Sequence, residues 1–142
     1  MIILDTNVMS ELMRTRPDDL VIDWIQSQSP HSLYMTSINV FELSTGLFTL
    51  PTGRRRTQLT ELLDALMAGL VDQRLLVFDR AAADRSARIM AKLRAAGRPI
   101  DIRDAMIGGI ALANGATLAT RNIRHFTKTG VRLVNPWEQT PR

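Results

Sequence analysis

The sequence contains no cysteine, and this absence removes several classes of function. Such a chain forms no disulfide, binds no metal through thiolates and has no cysteine nucleophile. No apolar run approaches the roughly 20 residues that a membrane-spanning helix needs. The opening segment Met1–Asp5 has no basic residues and reaches a carboxylate at once, unlike a signal peptide. We therefore expect a cytoplasmic protein without a membrane partner.

Aromatic residues are also scarce, at 5% of the chain, and they form no cluster of the kind that stacks on RNA bases. Charge is unevenly distributed: residues 1–53 carry two basic and six acidic side chains, and residues 54–142 carry sixteen and eight. The basic region suits a polyanionic partner, although many proteins without such a partner share this bias. If nucleic acid binds, phosphate contacts rather than base stacking should hold it.

Short apolar strands alternate with helical segments along the chain. Strands are predicted at residues 1–4, 31–36, 75–78, 117–119 and 131–134, with helices between them. This alternation favours a parallel sheet covered by helices on both faces. A length of 142 residues is that of one domain. We predict a single domain over residues 1–142, an α/β three-layer α/β/α sandwich with a central, mainly parallel sheet.

Polar residues predict where several helices begin. Asp5 to Asn7 should cap a first helix that ends near Arg16 and Pro17, and Asp79 should cap a later one. Ser37 is predicted to cap a helix that runs from Ile38 to about Thr49. Asp101 begins the helix that carries Asp104, and the Asn114-Gly115 pair should end it.

Three acids have apolar neighbours. Asp5 follows four apolar residues, so it should lie at the carboxyl edge of a central strand, where open α/β sheets bind ligands. Glu42 lies one turn into its helix, and Asp104 shares a helical face with Ile107 and Ala111. Each has an ordinary alternative: a helix cap for Asp5, a solvent-facing side chain for Glu42 and a favourable charge at a helix N-terminus for Asp104.

Taken together, these acids predict a metal site. A strand end and the first turns of two later helices can converge at one edge of a parallel sheet. Clustered carboxylates repel one another unless a cation compensates their charge. Oxygen ligands without cysteine or paired histidines suit Mg²⁺ or Mn²⁺, which assist phosphoryl transfer. The pattern therefore indicates a phosphodiesterase.

Five segments in order resemble the PIN domain of VapC-type toxins, and the group called FitB is especially similar. They are Ile3–Asn7, Ser37–Gly46, Asp101–Ala111, Leu118–Asn122 and Asn135–Trp137. The resemblance implies a divalent-metal ribonuclease whose catalytic and metal-binding residues are Asp5, Glu42 and Asp104. It also implies an RNA substrate, products with a 5′-phosphate and a 3′-hydroxyl, a homodimer and an inhibitory VapB-type antitoxin. Operator DNA would be bound only through that antitoxin.

The fourth segment departs from the family pattern. Many relatives have a further aspartate where this chain has Asn122, or three residues on, where it has His125. Asn122 offers only a neutral amide, so a second metal is in doubt. Asp101 either restores the missing charge or acts only as a helix cap, and we favour the cap. Thr6 and Thr120 are expected to orient ligands or water.

Two arginines and a histidine near the expected site, and two other function classes, have their own explanations. Arg121 and Arg124 flank the expected site and either contact RNA phosphates or are ordinary solvated arginines. His125 is more readily explained as structural than as a general base. A phosphoaspartate-forming phosphatase would want an acid where this chain has Asn7. The main alternative is a catalytically weak RNA-binding or interaction protein of the same fold.

Overall fold

The computed structural model describes residues 1–138, and the predicted end of the domain at residues 139–142 lies outside that range. Within it the strands are β1 (Ile2–Leu4), β2 (Leu33–Thr36), β3 (Leu75–Leu76), β4 (Thr117–Ala119) and β5 (Arg132–Val134). The helices are α1 (Thr6–Leu12), α2 (Asp19–Ser27), α3 (Ser37–Phe48), α4 (Arg54–Gly69), α5 (Arg80–Ala95), α6 (Ile102–Asn114) and α7 (Ile123–Phe126). No helix in this part of the chain is long and apolar enough to cross a bilayer.

The strands form one sheet in the order β3-β2-β1-β4-β5, and every neighbouring pair is parallel. Parallel neighbours require crossover connections, which the helices supply. The central position belongs to β1, with β2 and β4 on either side. The carboxyl ends of these three strands therefore meet at one edge of the sheet, where Asp5, Thr36 and Thr120 lie.

Helices cover both faces of the sheet because consecutive strand side chains point to opposite sides. Leu4 packs on one face against buried side chains of α1 to α4, among them Val8, Val21, Leu43 and Leu63. Ile3 packs on the other face against side chains of α5 to α7, among them Ala82, Ile107 and Phe126. The predicted α/β/α sandwich is confirmed.

The predicted cap of α3 was wrong by one residue. The N-cap is Thr36, whose hydroxyl accepts the Asn39 amide N–H at 3.1 Å, while the Asn39 side-chain oxygen accepts the Thr36 amide N–H at 3.1 Å. This reciprocal arrangement satisfies two backbone donors, which a single serine cap would not. Ser37 is the first helical residue, and its hydroxyl accepts the Phe78 amide N–H at 3.4 Å.

Three other boundaries also differ from the sequence prediction. Helix α1 ends at Leu12 rather than near Pro17, because the loop folds back and the buried Glu11 carboxylate accepts the Asp18 amide N–H at 3.0 Å. Strand β3 stops at Leu76, because a turn with an Asp79 N–H to Val77 carbonyl bond follows. A 3₁₀ turn at Pro30–Ser32 precedes β2, which starts at Leu33.

Close packing of α5 against α6 fixes the helix that carries Asp104. A Cβ atom at Gly109 would lie 2.5 Å from the Ala82 carbonyl oxygen and overlap the Ser86 hydroxyl. Glycine is therefore the residue that allows this approach. Gly115 ends α6 with φ of +62°, which confirms the predicted stop.

Candidate active site

Asp5 stands at the centre of a hydrogen-bonded scaffold at the carboxyl edge of the sheet. Its Oδ1 accepts the Thr6 amide N–H at 2.8 Å and the Asn39 Nδ2–H at 3.3 Å. Its Oδ2 accepts the Thr120 hydroxyl at 2.7 Å and the Asn7 Nδ2–H at 3.0 Å. Every one of these donors is neutral, so the carboxylate is held in place without a compensating positive charge.

The Asp5 side chain is almost fully enclosed, with 5% of the residue exposed. Burial raises the pKa of this carboxyl above its ordinary value, because low-dielectric surroundings disfavour the anion. The hydrogen bonds from Thr120, Thr6, Asn7 and Asn39 lower the pKa but do not cancel the effect of burial. A buried anion with incomplete compensation is the setting in which a bound cation gains the most.

Glu42 is linked to Asp5 through Thr6. The Thr6 hydroxyl donates to Glu42 Oε1 at 3.0 Å and accepts the Asn39 Nδ2–H at 3.1 Å. The other carboxylate oxygen of Glu42 lies 3.7 Å from Nη1 of Arg103. Burial raises the pKa of Glu42, and the negative charges of Asp5 and Asp104 raise it further, against the lowering effect of the Thr6 bond and Arg103. Glu42 therefore faces the other acids rather than open solvent.

Asp104 completes this group from the first turn of α6. Its Oδ2 lies 3.2 Å from Nδ1 of His125, and 23% of its side chain is exposed. Burial raises the pKa of Asp104, and Asp5 and Asp101 raise it as well, while His125 lowers it. We call Asp5, Glu42 and Asp104 the acid cluster. The structure brings all three predicted acids into electrostatic contact.

The acid cluster lines one open cavity of about 460 Å³, called here the acid cavity. Its walls also include Thr6, Asn7, Asn122, Arg121 and Trp137. Within residues 1–138 no three acidic or histidine side chains stand close enough to ligate one ion directly. An ion held here takes fewer direct protein ligands and completes its shell with water, as Mg²⁺ commonly does. An all-oxygen donor set of this kind fits a hard divalent cation.

The predicted auxiliary residues have distinct positions. Thr6 and Thr120 both contact the acid cluster directly, and Asn122 lines the acid cavity while its backbone N–H donates to the Thr120 hydroxyl at 3.0 Å. Asp101 is the N-cap of α6, where its carboxylate accepts the Arg103 amide N–H at 2.9 Å. Asp101 does not line the acid cavity; it caps α6, and its negative charge raises the pKa of Asp104.

The two predicted RNA-contacting arginines line different cavities. Arg121 borders the acid cavity, where its guanidinium lies 5.1 Å from the centre of the Trp137 ring. Such a cation–π contact holds the guanidinium beside the Trp137 ring in the cavity wall. Arg124 borders a neighbouring cavity that Asp104 also lines.

Four contacts of the site were missed by sequence reasoning. Asn7 and Asn39 donate to Asp5, and Arg103 lies beside Glu42. The sequence does contain a signal for Asn39, since Thr36 and Asn39 have the spacing of a reciprocal helix cap. The neighbouring Ser37 has the same capping chemistry and obscured that signal. Arg103 had no signal, because arginine in the first turn of a helix is ordinarily solvated. The pairing of His125 with Asp104 was likewise not foreseen.

The family model of the PIN domain matches residues 2–131. The chain belongs to the PIN-domain family. Two relatives of this PIN domain are similar along almost their whole length. The VapC ribonuclease Y4jK of Sinorhizobium fredii is 39% identical, over 97% of this chain and 99% of the relative. The toxin FitB of Neisseria gonorrhoeae is 34% identical, over 96% of this chain and 99% of the relative.

A solved structure has the same fold as this PIN domain. A chain in the structure of FitAB bound to an IR36 DNA fragment superimposes with a TM-score of 0.91 at 32% identity, covering 100% of this chain and 99% of that one. The resemblance to VapC-type and FitB-type PIN domains in the sequence is thereby confirmed.

Proposed function

We propose that this PIN domain is the toxin of a type II toxin–antitoxin pair, a Mg²⁺- or Mn²⁺-dependent endoribonuclease that acts in the cytoplasm. The observation that carries the proposal is the acid cluster: three carboxylates from a strand end and two helices line one cavity, and burial raises the pKa of each. The names of the similar VapC ribonuclease and FitB toxin support the same function.

In this proposal Asp5, Glu42 and Asp104 hold the ion, mostly through water. A divalent ion supplies the acidity that activates water and neutralises charge on the phosphate. The attacking water oxygen forms the new bond to phosphorus, and the bond to the 3′ oxygen breaks as that oxygen takes up a proton. The products carry a 5′-phosphate and a 3′-hydroxyl. Thr6 and Thr120 orient the acids through their hydroxyls, which contact Glu42 and Asp5 respectively.

Inhibition by a VapB-type antitoxin is the second part of the proposal. A groove of about 950 Å³ runs between α1, α3 and α4 and includes the apolar side chains of Leu43, Leu47 and Leu59. Thr6 and Glu42 line both this groove and the acid cavity. A polypeptide in the groove would therefore reach the acids with a basic or hydrogen-bonding side chain. The FitAB–DNA complex supports operator binding through the antitoxin. We retain the homodimer as a prediction from resemblance.

The direct test is RNA cleavage by purified Asp5→Asn and Asp104→Asn variants with Mg²⁺ or Mn²⁺. Loss of an ion that contributes several kcal/mol predicts activity reduced by about 100-fold or more. Asp84→Asn is the matched control, because it removes the charge of an exposed acid that pairs with Arg88 on α5. Cleavage that stays at the control level in both folded variants would refute the assignment.

A catalytically weak RNA-binding protein is the second candidate, favoured by one observation. Asn122, in the fourth of the PIN-like segments, lines the acid cavity, and His125, three residues later, lies beside Asp104. The family resemblance leads us to expect an aspartate at one of these two positions. Calorimetry with Mg²⁺ on the wild type and Asp104→Asn separates the two candidates. The ribonuclease requires uptake that depends on Asp104, whereas a binding module shows no carboxylate-dependent uptake.

A further inference from the structure

A second cavity adjoins the acid cavity at Asp104. It has a volume of about 280 Å³, and Asp104 lines both this cavity and the acid cavity. Polar side chains in its wall are Arg98, Asp101, Asp104, Arg124, His125 and Thr127. We call it the arginine cavity. An RNA strand that extends from the acid cavity toward α7 would reach the arginine cavity, because Asp104 lines both cavities.

The two arginines are the unpaired charges of this cavity. Asp101 pairs with Arg103, and Asp104 lies beside His125. Arg98 and Arg124 take part in no ion pair among residues 1–138, and both are exposed. The arginine cavity therefore offers free positive charge next to a site whose own charge is negative.

Both arginines extend from well-anchored backbone. The Arg98 N–H donates to the Leu93 carbonyl at 2.8 Å, in the turn that closes α5. The Arg124 carbonyl accepts the Thr127 hydroxyl at 3.0 Å at the end of α7. Fixed backbone lowers the entropy cost of bringing two guanidinium groups to one ligand.

We propose that the arginine cavity binds a backbone phosphate of the RNA, next to the phosphate at the acid cluster. The inference rests on the ribonuclease function and adds to it a positioning subsite made of Arg98 and Arg124. A polyanion brought to three carboxylates is repelled by them, and nearby cations reduce that cost. Guanidinium groups suit this task because they donate two parallel hydrogen bonds to phosphate oxygens.

The first measurement is RNA affinity in the inactive Asp5→Asn background. Adding Arg98→Gln and Arg124→Gln together is expected to weaken binding of a single-stranded RNA oligonucleotide by about tenfold or more. The control adds Arg80→Gln and Arg85→Gln, two exposed α5 arginines that line none of the cavities described and remove the same charge. The slope of log K against log salt should fall by about 0.7 for each lost phosphate contact.

The second measurement locates the phosphate. Methylphosphonate replaces one linkage at a time in the oligonucleotide, which removes a single charge. One linkage should weaken binding to the Asp5→Asn protein and to the control but have no further effect in the Arg98/Arg124 variant. Equal binding by that variant and the control would overturn the subsite while leaving RNA cleavage by the wild type intact. Absence of both RNA binding and wild-type cleavage would overturn the proposed function as well.

Discussion

Two parts of the acid cluster are held in opposite ways. Asp5 is buried and receives four hydrogen bonds from neutral donors, two in α1, one in α3 and one just after β4. Glu42 and Asp104 are partly exposed, and each lies beside a basic side chain, Arg103 or His125. One carboxylate is thus fixed by the fold, and the other two are balanced by groups at the rim.

The difference suggests a division of roles. We expect Asp5 to keep its position whether or not an ion is bound, because its hydrogen-bond partners belong to α1, α3 and the end of β4. Glu42 and Asp104 interact with Arg103 and His125 in the way that they would interact with an ion. The positive charge of Arg103 at the rim reduces repulsion within the cluster, and it also repels an incoming cation.

Asn39→Ala should have the largest effect, because it removes the central part of the fixed scaffold. The Asn39 side chain bonds to Thr36, Asp5 and Thr6 and is fully buried. Unsatisfied buried partners predict a free energy of unfolding lower by about 2 kcal/mol, measured by chemical denaturation. The control is Asn114→Ala, which removes one bond at the exposed end of α6. Equal losses in the two variants would contradict a special role of Asn39.

Arg103→Gln should have an intermediate effect, and it should strengthen metal binding. Removing the guanidinium 3.7 Å from Glu42 Oε2 takes positive charge away from the acid cavity. We expect Mn²⁺ affinity, measured by calorimetry, to rise by about fivefold through weaker charge repulsion. Arg88→Gln is the control, since Arg88 pairs with Asp84 on α5. Unchanged or weaker Mn²⁺ binding would show that Arg103 does not compete with the ion.

The smallest expected effect is on how the free energy of unfolding of the metal-free protein changes with pH. Because the folded pKa of Asp104 is raised above 3.8, its stabilising contribution is present below that pH and is lost as pH rises through the folded pKa. The wild type should therefore lose stability relative to Asp104→Asn as pH rises above about 4. Denaturation curves at several pH values measure this difference.

Asp101→Asn serves as a control with the opposite sign. The hydrogen bond from the Arg103 backbone N–H lowers the pKa of Asp101. Its contribution is therefore present above 3.8 and is lost as pH falls through the folded pKa. A pH dependence of the same sign for the two variants would contradict the contrast between the partly buried Asp104 and the exposed cap Asp101.

The sequence was sufficient to predict the fold and the three acids. The pattern of strands and helices places Asp5, Glu42 and Asp104 near one sheet edge, and the resemblance to the family's motifs singles them out. Their role in metal binding and catalysis stays a prediction. The contacts that distinguish the two halves of the cluster were not predictable in the same way. Asn39 reaches Asp5 across 34 positions, and Arg103 reaches Glu42 across 61, so both depend on how helices cross the sheet edge.

The predicted ends of helices were the other source of error, and a hydrogen bond explains each of the two errors below. The N-cap of α3 is Thr36 rather than the predicted Ser37, because the reciprocal bonds of Thr36 with Asn39 satisfy more backbone donors than Ser37 would. Helix α1 ends at Leu12 rather than near Pro17, because the Glu11 carboxylate accepts the backbone N–H of Asp18. In both cases a tertiary or reciprocal hydrogen bond outweighed single-residue preference.

The most direct test of the account is anomalous scattering from crystals of this protein grown or soaked with Mn²⁺. If the acid cluster holds the ion, a manganese peak will lie in the acid cavity, among Asp5, Glu42 and Asp104. A fully occupied manganese peak elsewhere, or carboxylates that turn apart with no peak between them, would contradict the central claim.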